Sequence, residues 1–387
     1  MKNLETLIQE LCPDGVEFVK LGDCCSFKRG TTITAKNAIP GDVPVLAGGQ
    51  KPAYYHNEAN RTGETIVVAG SGAYAGFVSY WTIPVFLSDS FSVEPDDRLV
   101  VKFVYYFLKN IQQKIFATKK GSGVPHVHGS SIEKFEIPLP PIEVQTEIVR
   151  ILDKFTSLEA ELEAELDCRK RQYEYYRDKL LSFENVGGQE VKWKKMSEVC
   201  KNICSGGTPL TSKAEYYDGN IPWLRTQEVD YCEIHSTLRN ITQLGLDNSS
   251  AKMIPANCVI VAMYGSTAAK VAINKIPLCT NQACCNLEID EDKALVRYVY
   301  QWICKQYEVL KAMGEGSQHN INAQKVKDFK IPIPSLEEQH RIVSILDRFE
   351  SLTTSLQSGL PAEIVARRQQ YEHYRDKLLT FKRKGAA

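Results

Sequence analysis

Two histidines one residue apart, His126 and His128, are the pair in this 387-residue sequence that most invites a metal reading. Two imidazoles so close can share one ion. Their counterparts in an internal repeat, described below, are Asn320 and Asn322, and ligands are seldom exchanged for amides between related halves, so no metal is expected. Cys200 and Cys204 lack the second His or Cys pair that a zinc site needs and read as packing residues. Gly70-Ser71-Gly72-Ala73-Tyr74-Ala75-Gly76 has the wrong spacing for a dinucleotide loop and lies strand-to-strand, so a tight turn is expected. No GxxxxGK[ST] phosphate loop is present. A methyl transfer to adenine calls for Asn- or Asp-Pro-Pro-aromatic, whereas the sequence offers Leu139-Pro140-Pro141-Ile142. Pro95-Asp96-Asp97 is the nearest approach to a nuclease carboxylate cluster, but its counterpart Glu288-Ile289-Asp290 lacks the proline and no Glu-x-Lys follows. The residues predict binding, not catalysis.

The elements that would position a binding site are written twice. Ile137-Pro138-Leu139-Pro140 leads into Glu143, Gln145, Ile148-Val149, Ile151-Leu152-Asp153 and Phe155. Ile331-Pro332-Ile333-Pro334 leads into Glu337, Gln339, Ile342-Val343, Ile345-Leu346-Asp347 and Phe349. Tyr173 to Leu181 matches Tyr371 to Leu379 almost residue for residue. Weaker matches join Gly41 to Leu46 with Gly219 to Leu224, and Ile66 to Ala69 with Val259 to Ala262; the latter offset carries Gly72 onto Gly265. A repeat over nearly the whole chain means one supersecondary plan used twice.

After each proline-rich entry the apolar residues alternate steps of three and four. Ile148, Ile151, Phe155, Leu158 and Leu162 form one seam, continued after a one-residue slip by Tyr173, Tyr176 and Leu180. Ile342, Ile345, Phe349, Leu352 and Leu356, then Tyr371, Tyr374 and Leu378, form the other. This is coiled-coil spacing, and helices of roughly 40 residues would reach about 60 Å. Pairing with each other, antiparallel, is the economical arrangement, with the variable domains at opposite ends of a rod about a pseudo-twofold axis. The second copy carries a four-residue insertion around Gly359-Leu360-Pro361, which predicts a kink or break.

The variable segments read as α+β. Glu64 to Ala69, Gly76 to Tyr80 and Phe91 to Val93 look like strands. Phe103, Phe107, Ile111 and Ile115 trace a helix, repeated by Leu295, Val299, Trp302, Ile303, Tyr307 and Leu310; these aromatics read as core and not as a base-stacking platform. Hydrophobic residues make up 43% and charged residues 24% of the chain, the composition of a globular protein of more than one domain. No run of about 20 apolar residues suggests a membrane span. The opening Met1 to Glu5 has no secretory apolar core, and with twelve cysteines this predicts reduced thiols in the cytoplasm. Lys plus Arg equals Asp plus Glu at 47 each, so charge alone neither proposes nor excludes nucleic acid.

Together, the Ile137 to Gln145 entry, its twin at Ile331 to Gln339, the two Tyr-Arg-Asp-Lys-Leu-Leu endings, Lys20-Leu21-Gly22-Asp23 and Asn281-Gln282-Ala283 resemble the specificity subunits of type I restriction–modification systems. That resemblance covers nearly the whole chain. It implies an α+β protein of two target-recognition domains joined by two long antiparallel helices forming a coiled coil. Its segments would be 1–140 and 186–334 for recognition, with 141–185 and 335–383 as spacer helices. It further implies a non-catalytic chain that reads a bipartite, asymmetric double-stranded DNA site. Two modification subunits would dock on it, and two restriction subunits would join them. S-adenosylmethionine, ATP and Mg²⁺ would belong to those partners.

Polar and basic residues in the loops that differ most between halves are the candidates for DNA contact. In the first half these are Lys28, Arg29, Thr31, Thr32, Tyr74, Lys119, Lys120, Ser122, His126 and His128. In the second they are Thr208, Arg225, Gln227, Tyr264, Ser266, Thr267, Lys270, Gln318, His319 and Asn320. Two other readings stay open: a specificity subunit of a type IIB-like enzyme, in which modification and cleavage share one polypeptide, and a two-ended coiled-coil scaffold that grips proteins.

Overall fold

The computed structural model describes residues 4–121, 123–183, 191–315, 320–354 and 359–385. The chain folds as two compact units, one of residues 1–163 with 363–387, the other of residues 164–362. Each unit therefore takes one variable segment and a portion of both spacer helices.

In the first unit the strand Thr65–Ala69 is buried at all five positions. A Thr-Ile-Val-Val-Ala run lacks a polar face because both sides of the sheet are covered. Ile66 and Val68 join Phe103, Val104 and Phe107 in the larger core, while Val67 joins Leu46, Val85 and Leu87 in a smaller one. This strand pairs antiparallel with Val78–Trp81 on one side and Ser90–Pro95 on the other, and Cys25–Arg29 completes the sheet. A second sheet orders Tyr54–His56, Val43–Leu46 and Phe86–Leu87, the last pairing parallel. A ribbon of Glu17–Lys20 with Glu136–Leu139 delivers the chain to the first long helix.

The second unit repeats the plan. Val259 and Val261 face one core and Ile260 and Ala262 the other. Its larger sheet runs Cys200–Ser205, Cys284–Ile289, Val259–Ala262, Val271–Asn274 and a parallel edge, Glu233–Ile234. Asn240–Ile241, Tyr217–Leu224, Leu278–Thr280 and Met253–Ile254 form the smaller sheet, and Lys192–Lys195 pairs with Lys330–Ile333.

The helix expected from Phe103 to Ile115 is two, Val101–Asn110 and Gln112–Ala117, interrupted at Ile111. Val296–Lys305 and Tyr307–Ala312 break likewise at Gln306. Apolar residues every four positions drift about 40° per step around a straight helix. The interruption resets that drift, keeping Phe103, Ile111 and Ile115 in one core.

Ile142–Leu180 is one unbroken helix of 39 residues. Its first turns bury Val144, Ile148 and Leu152, four apart, in the domain core, and Ile342 and Leu346 do the same in the second unit. Ile148 and Ile342 therefore serve their domains, and the seam begins beyond them. In the first unit Phe155 stacks on Tyr374, 5.4 Å between centroids, and Arg368 reaches Glu159 and Glu163. Residue 155 opposite 374 and 159 opposite 368 make that pairing antiparallel. In the second unit the equivalent rings, Tyr176 and Phe349, stack at 5.3 Å. Tyr371 and Leu378 also pack on the first core, and Tyr173 and Leu180 on the second. Leu352 is 37% exposed, and Leu356 lies outside the described residues.

The insertion breaks the second helix into Leu336–Thr354 and Leu360–Leu378. Gly359 takes φ +85°, and a Cβ there would lie 2.8 Å from the carbonyls of Ser351 and Leu352. Pro361 falls in the first turn of the new helix, where a missing N–H costs nothing.

Candidate nucleic-acid interface

In the first unit most candidates converge at one end of the larger sheet. Arg29 ends its strand opposite Phe91, and Ala69 ends the central strand opposite Ser90. Arg29, the 70–77 turn and Asp89 are thus neighbours. Segment 119–128 is stitched to that turn, Gly72 N donating to Pro125 O and Val127 N to Gly70 O, each at 2.9 Å. Lys120 and His126 exchange backbone hydrogen bonds at 2.9 and 2.8 Å. The rings of His126 and His128 lie parallel with centroids 6.4 Å apart, and line a cavity of about 250 Å³ with Arg29 and Asp89. Asp89 accepts from Ser71 and, at 3.5 Å, from Arg29.

Gly72 and Gly76 take φ of +82° and +85°, so the Gly70 to Gly76 stretch is a tight turn between strands, with Tyr74 exposed on it. Lys119 Nζ lies 4.4 Å from the Phe116 ring centroid and donates to Ala73 O at 3.2 Å. Thr31 N donates to Leu87 O at 2.9 Å, holding Thr31 and Thr32 near Asp89. Lys28 is engaged elsewhere, in an ion pair with Glu94. Burial would raise that carboxyl, but hydrogen bonds from Lys28 and Ser92, with Arg61 nearby, hold it below the usual carboxylate range. Ser122 lies outside the described residues.

The second unit gathers a matching group. Thr267 Oγ1 donates to Thr226 O at 2.8 Å, joining the turns that hold Arg225 and Gln227 to those of Tyr264 and Ser266. Asn281 N donates to Leu224 O at 2.9 Å, and Thr208 bonds Gln282, which brings Thr208 alongside. Thr267 is buried, its hydroxyl serving the loop itself. Lys270 pairs with Asp230 at 2.7 Å and lies 5.7 Å from the Tyr231 ring centroid. Asn320 exchanges backbone bonds with Glu315, both 3.0 Å; Gln318 and His319 lie outside the described residues. Among the described residues no cluster of three His, Cys, Asp or Glu side chains could hold a metal.

A family model, the type I restriction modification DNA specificity domain, matches this chain twice, over residues 13–167 and 189–366. The chain belongs to the type I restriction–modification specificity subunits. It is 35% identical to the specificity subunit of the EcoR124I/EcoR124II enzyme of Escherichia coli, covering 98% of this chain and 97% of that one. The crystal structure of a type I S subunit from M. genitalium shares the fold at a TM-score of 0.62 with 18% identity, covering 94% of this chain and 96% of that one. An S subunit from Thermoanaerobacter tengcongensis does so at 0.50, also with 18% identity, over 95% and 97%.

As a specificity subunit the chain is the non-catalytic member that determines DNA target recognition within its complex. The two copies of one framework differ in these loop clusters and in an extra strand in both the larger and the smaller sheet of the second unit. Two features of this subunit went unread in the sequence. Arg239, beside Arg225 in one cavity, falls in a stretch with no internal match. The repeated glutamines were noted only as pattern, yet both are buried ties. Gln145 accepts from Val100 N at 2.8 Å and donates to Arg98 O and Pro140 O at 2.9 and 2.8 Å. Gln339 does the same with Leu295 N, Lys293 O and Pro334 O at 2.9, 3.3 and 3.0 Å.

Proposed function

We propose that this specificity subunit reads a double-stranded DNA site in two unlike halves, one per recognition domain, separated by unread base pairs. The observation that carries this is the duplication itself: one framework, built twice, presents two loop clusters of different chemistry. Arg29, Tyr74, Lys120, His126 and His128 stand in one, against Thr208, Arg225, Gln227, Tyr264 and Ser266 in the other. Recognition needs phosphate contacts that fix register and side chains that meet base edges. Residues 1–140 and 186–334 do the reading, and the spacer segments 141–185 and 335–383 set the spacing.

The partners in this reading are two modification subunits docked on the helices and two restriction subunits, all in the cytoplasm. Methylating a base inside a duplex requires flipping it out of the stack. That step, with S-adenosylmethionine, falls to the modification subunits; ATP and Mg²⁺ serve the restriction subunits. This chain holds no cofactor of its own. Long-read methylation mapping of cells expressing the chain with its modification subunit, against cells lacking it, tests the reading. A split methylated-adenine motif that disappears without the chain is expected. No motif from a soluble, assembled complex would overturn it.

A further inference from the structure

Arg225 follows the strand Tyr217–Leu224, whose end pairs in parallel with Leu278–Thr280. With Arg239, Tyr217, Trp223 and Asp218 it lines a cavity of about 400 Å³. The aromatic walls are fixed. Tyr217 and Trp223 meet edge to face at 5.9 Å. Their polar tips are tied to the backbone, Trp223 Nε1 to Gly207 O at 3.0 Å and the Tyr217 hydroxyl to Pro209 O at 2.6 Å.

The guanidinium in this cavity is unusual. Arg225 Nε is buried and has no hydrogen-bond partner. The Glu228 carboxylate is 3.9 Å from it, and its oxygens already accept from the backbone amides of Arg225 at 3.1 Å and Leu238 at 2.8 Å. A buried donor left unmatched is rare in folded proteins. Arg177 Nε is in the same state, but the Arg225 side chain is one-third exposed at the rim of a cavity and so within reach of an outside acceptor. Arg239 is exposed, and its carbonyl accepts from Trp223 N at 3.0 Å, which sets it on the neighbouring strand.

The first unit is an internal control. Val45 and Leu46 pair in parallel with Phe86 and Leu87 as Trp223 and Leu224 do with Cys279 and Thr280, so Ala47 stands where Arg225 does. Tyr54 faces Val45 across the antiparallel neighbour, the place Arg239 takes beside Trp223. Both units build this framework, and one does so with Ala and Tyr. The two arginines are therefore not needed for the fold.

We infer that Arg225 reads a guanine through its major-groove edge in the half-site of the second unit, and that Arg239 holds a phosphate beside it. The assignment rests on the DNA-reading function proposed above. Guanine presents two acceptors, N7 and O6, that match a guanidinium fork. Asp218, on the same rim, opposes a phosphate inside the cavity but suits the N4 amine of the paired cytosine.

The test uses the full chain assembled with its modification subunits. Wild-type methylation mapping first gives the motif; Arg225→Gln is then mapped alongside Arg239→Gln. Arg225→Gln is expected to lose preference at one guanine in one half-site while the other half stays intact. Arg239→Gln is expected to weaken binding to all sequences alike and lower the salt slope by about one. Should Arg225→Gln fail to assemble, wild-type complex is titrated with duplexes carrying 7-deazaguanine at each guanine of the motif in turn. A loss of about tenfold or more at one guanine is expected, from the missing N7 acceptor. A motif with no guanine in the affected half, or binding indifferent to every 7-deazaguanine, overturns the assignment while leaving DNA reading in place. No split motif from the wild-type complex overturns both.

Discussion

At the scale of single residues, the sequence identified loops but could not say which of their side chains are already occupied. Thr267 and Lys270 were credible contacts by type, yet their partners, Thr226 and Asp230, lie about forty residues away and only tertiary structure pairs them. Lys119 and Lys120 separate the same way. Lys119 is held on Phe116 and Ala73 O, whereas the Lys120 backbone is fixed by His126 and its side chain is exposed, the state expected of a phosphate contact. Lys120→Ala should weaken binding to every DNA sequence and cut the slope of log affinity against log salt by about one. Titrations at several salt concentrations check this, and an unchanged slope would remove the 119–128 segment from the DNA surface. The cysteines offer a separate test. Burial pushes the Cys279 thiol up to about 11 and those of Cys258, Cys285 and Cys304 to about 12. Thiolate is the reactive form, so these four should resist alkylation at pH 8 in the native chain and react on unfolding. Because their folded values are raised, stability should hold below about pH 8.5, the ordinary thiol value, and fall above it as the unfolded chain ionises first. Rapid native labelling of any of the four, read by peptide mass, would contradict the packing.

Elements were more legible, because periodicity reports burial directly. The heptad steps gave both long helices, and the insertion around Gly359-Leu360-Pro361 the break in the second. They did not distinguish residues facing the other helix from those facing the domain, since Ile148 and Ile342 satisfy either stripe. What the spacing could not carry at all is the joint between helix and domain, which depends on polar atoms. Gln145 is fully buried and closes three hydrogen bonds to backbone groups on both sides of that joint. Asp153 adds bonds from Lys102 at 2.8 Å and Tyr106 at 2.5 Å. Gln145→Ala would strand an amide and two carbonyls in the interior and open a cavity. A loss of about 2–4 kcal/mol is expected, larger than for Gln172→Ala on the same helix. Urea unfolding of both variants measures the difference. Equal midpoints would mean that the glutamine is a passenger in the repeat.

For the molecule as a whole, the repeat was the most legible feature and the net charge the least useful. Equal numbers of acids and bases say nothing of where the charges stand: Arg29 ends a strand, and Lys120, Arg225 and Arg239 lie outside helices and strands. The framework is duplicated, with one more strand in both the larger and the smaller sheet of the second unit, so the halves differ in their loops and edge strands. If each domain reads its own half-site, a chain carrying the same recognition segment twice should read the same half-sequence twice. Residues 186–334 replaced by residues 1–140 provide that chain. The splice after 140 and 334 falls at the end of matched Ile-Pro-x-Pro entries, and both copies then meet a helix that begins with the same buried glutamine tie. Assembled with modification subunits, it should methylate a motif whose two halves are alike, each equal to one half of the wild-type motif. Methylation mapping reads this without knowing the target beforehand. Two unlike halves from such a chain would mean that specificity is set outside these domains, by the helices or the partners.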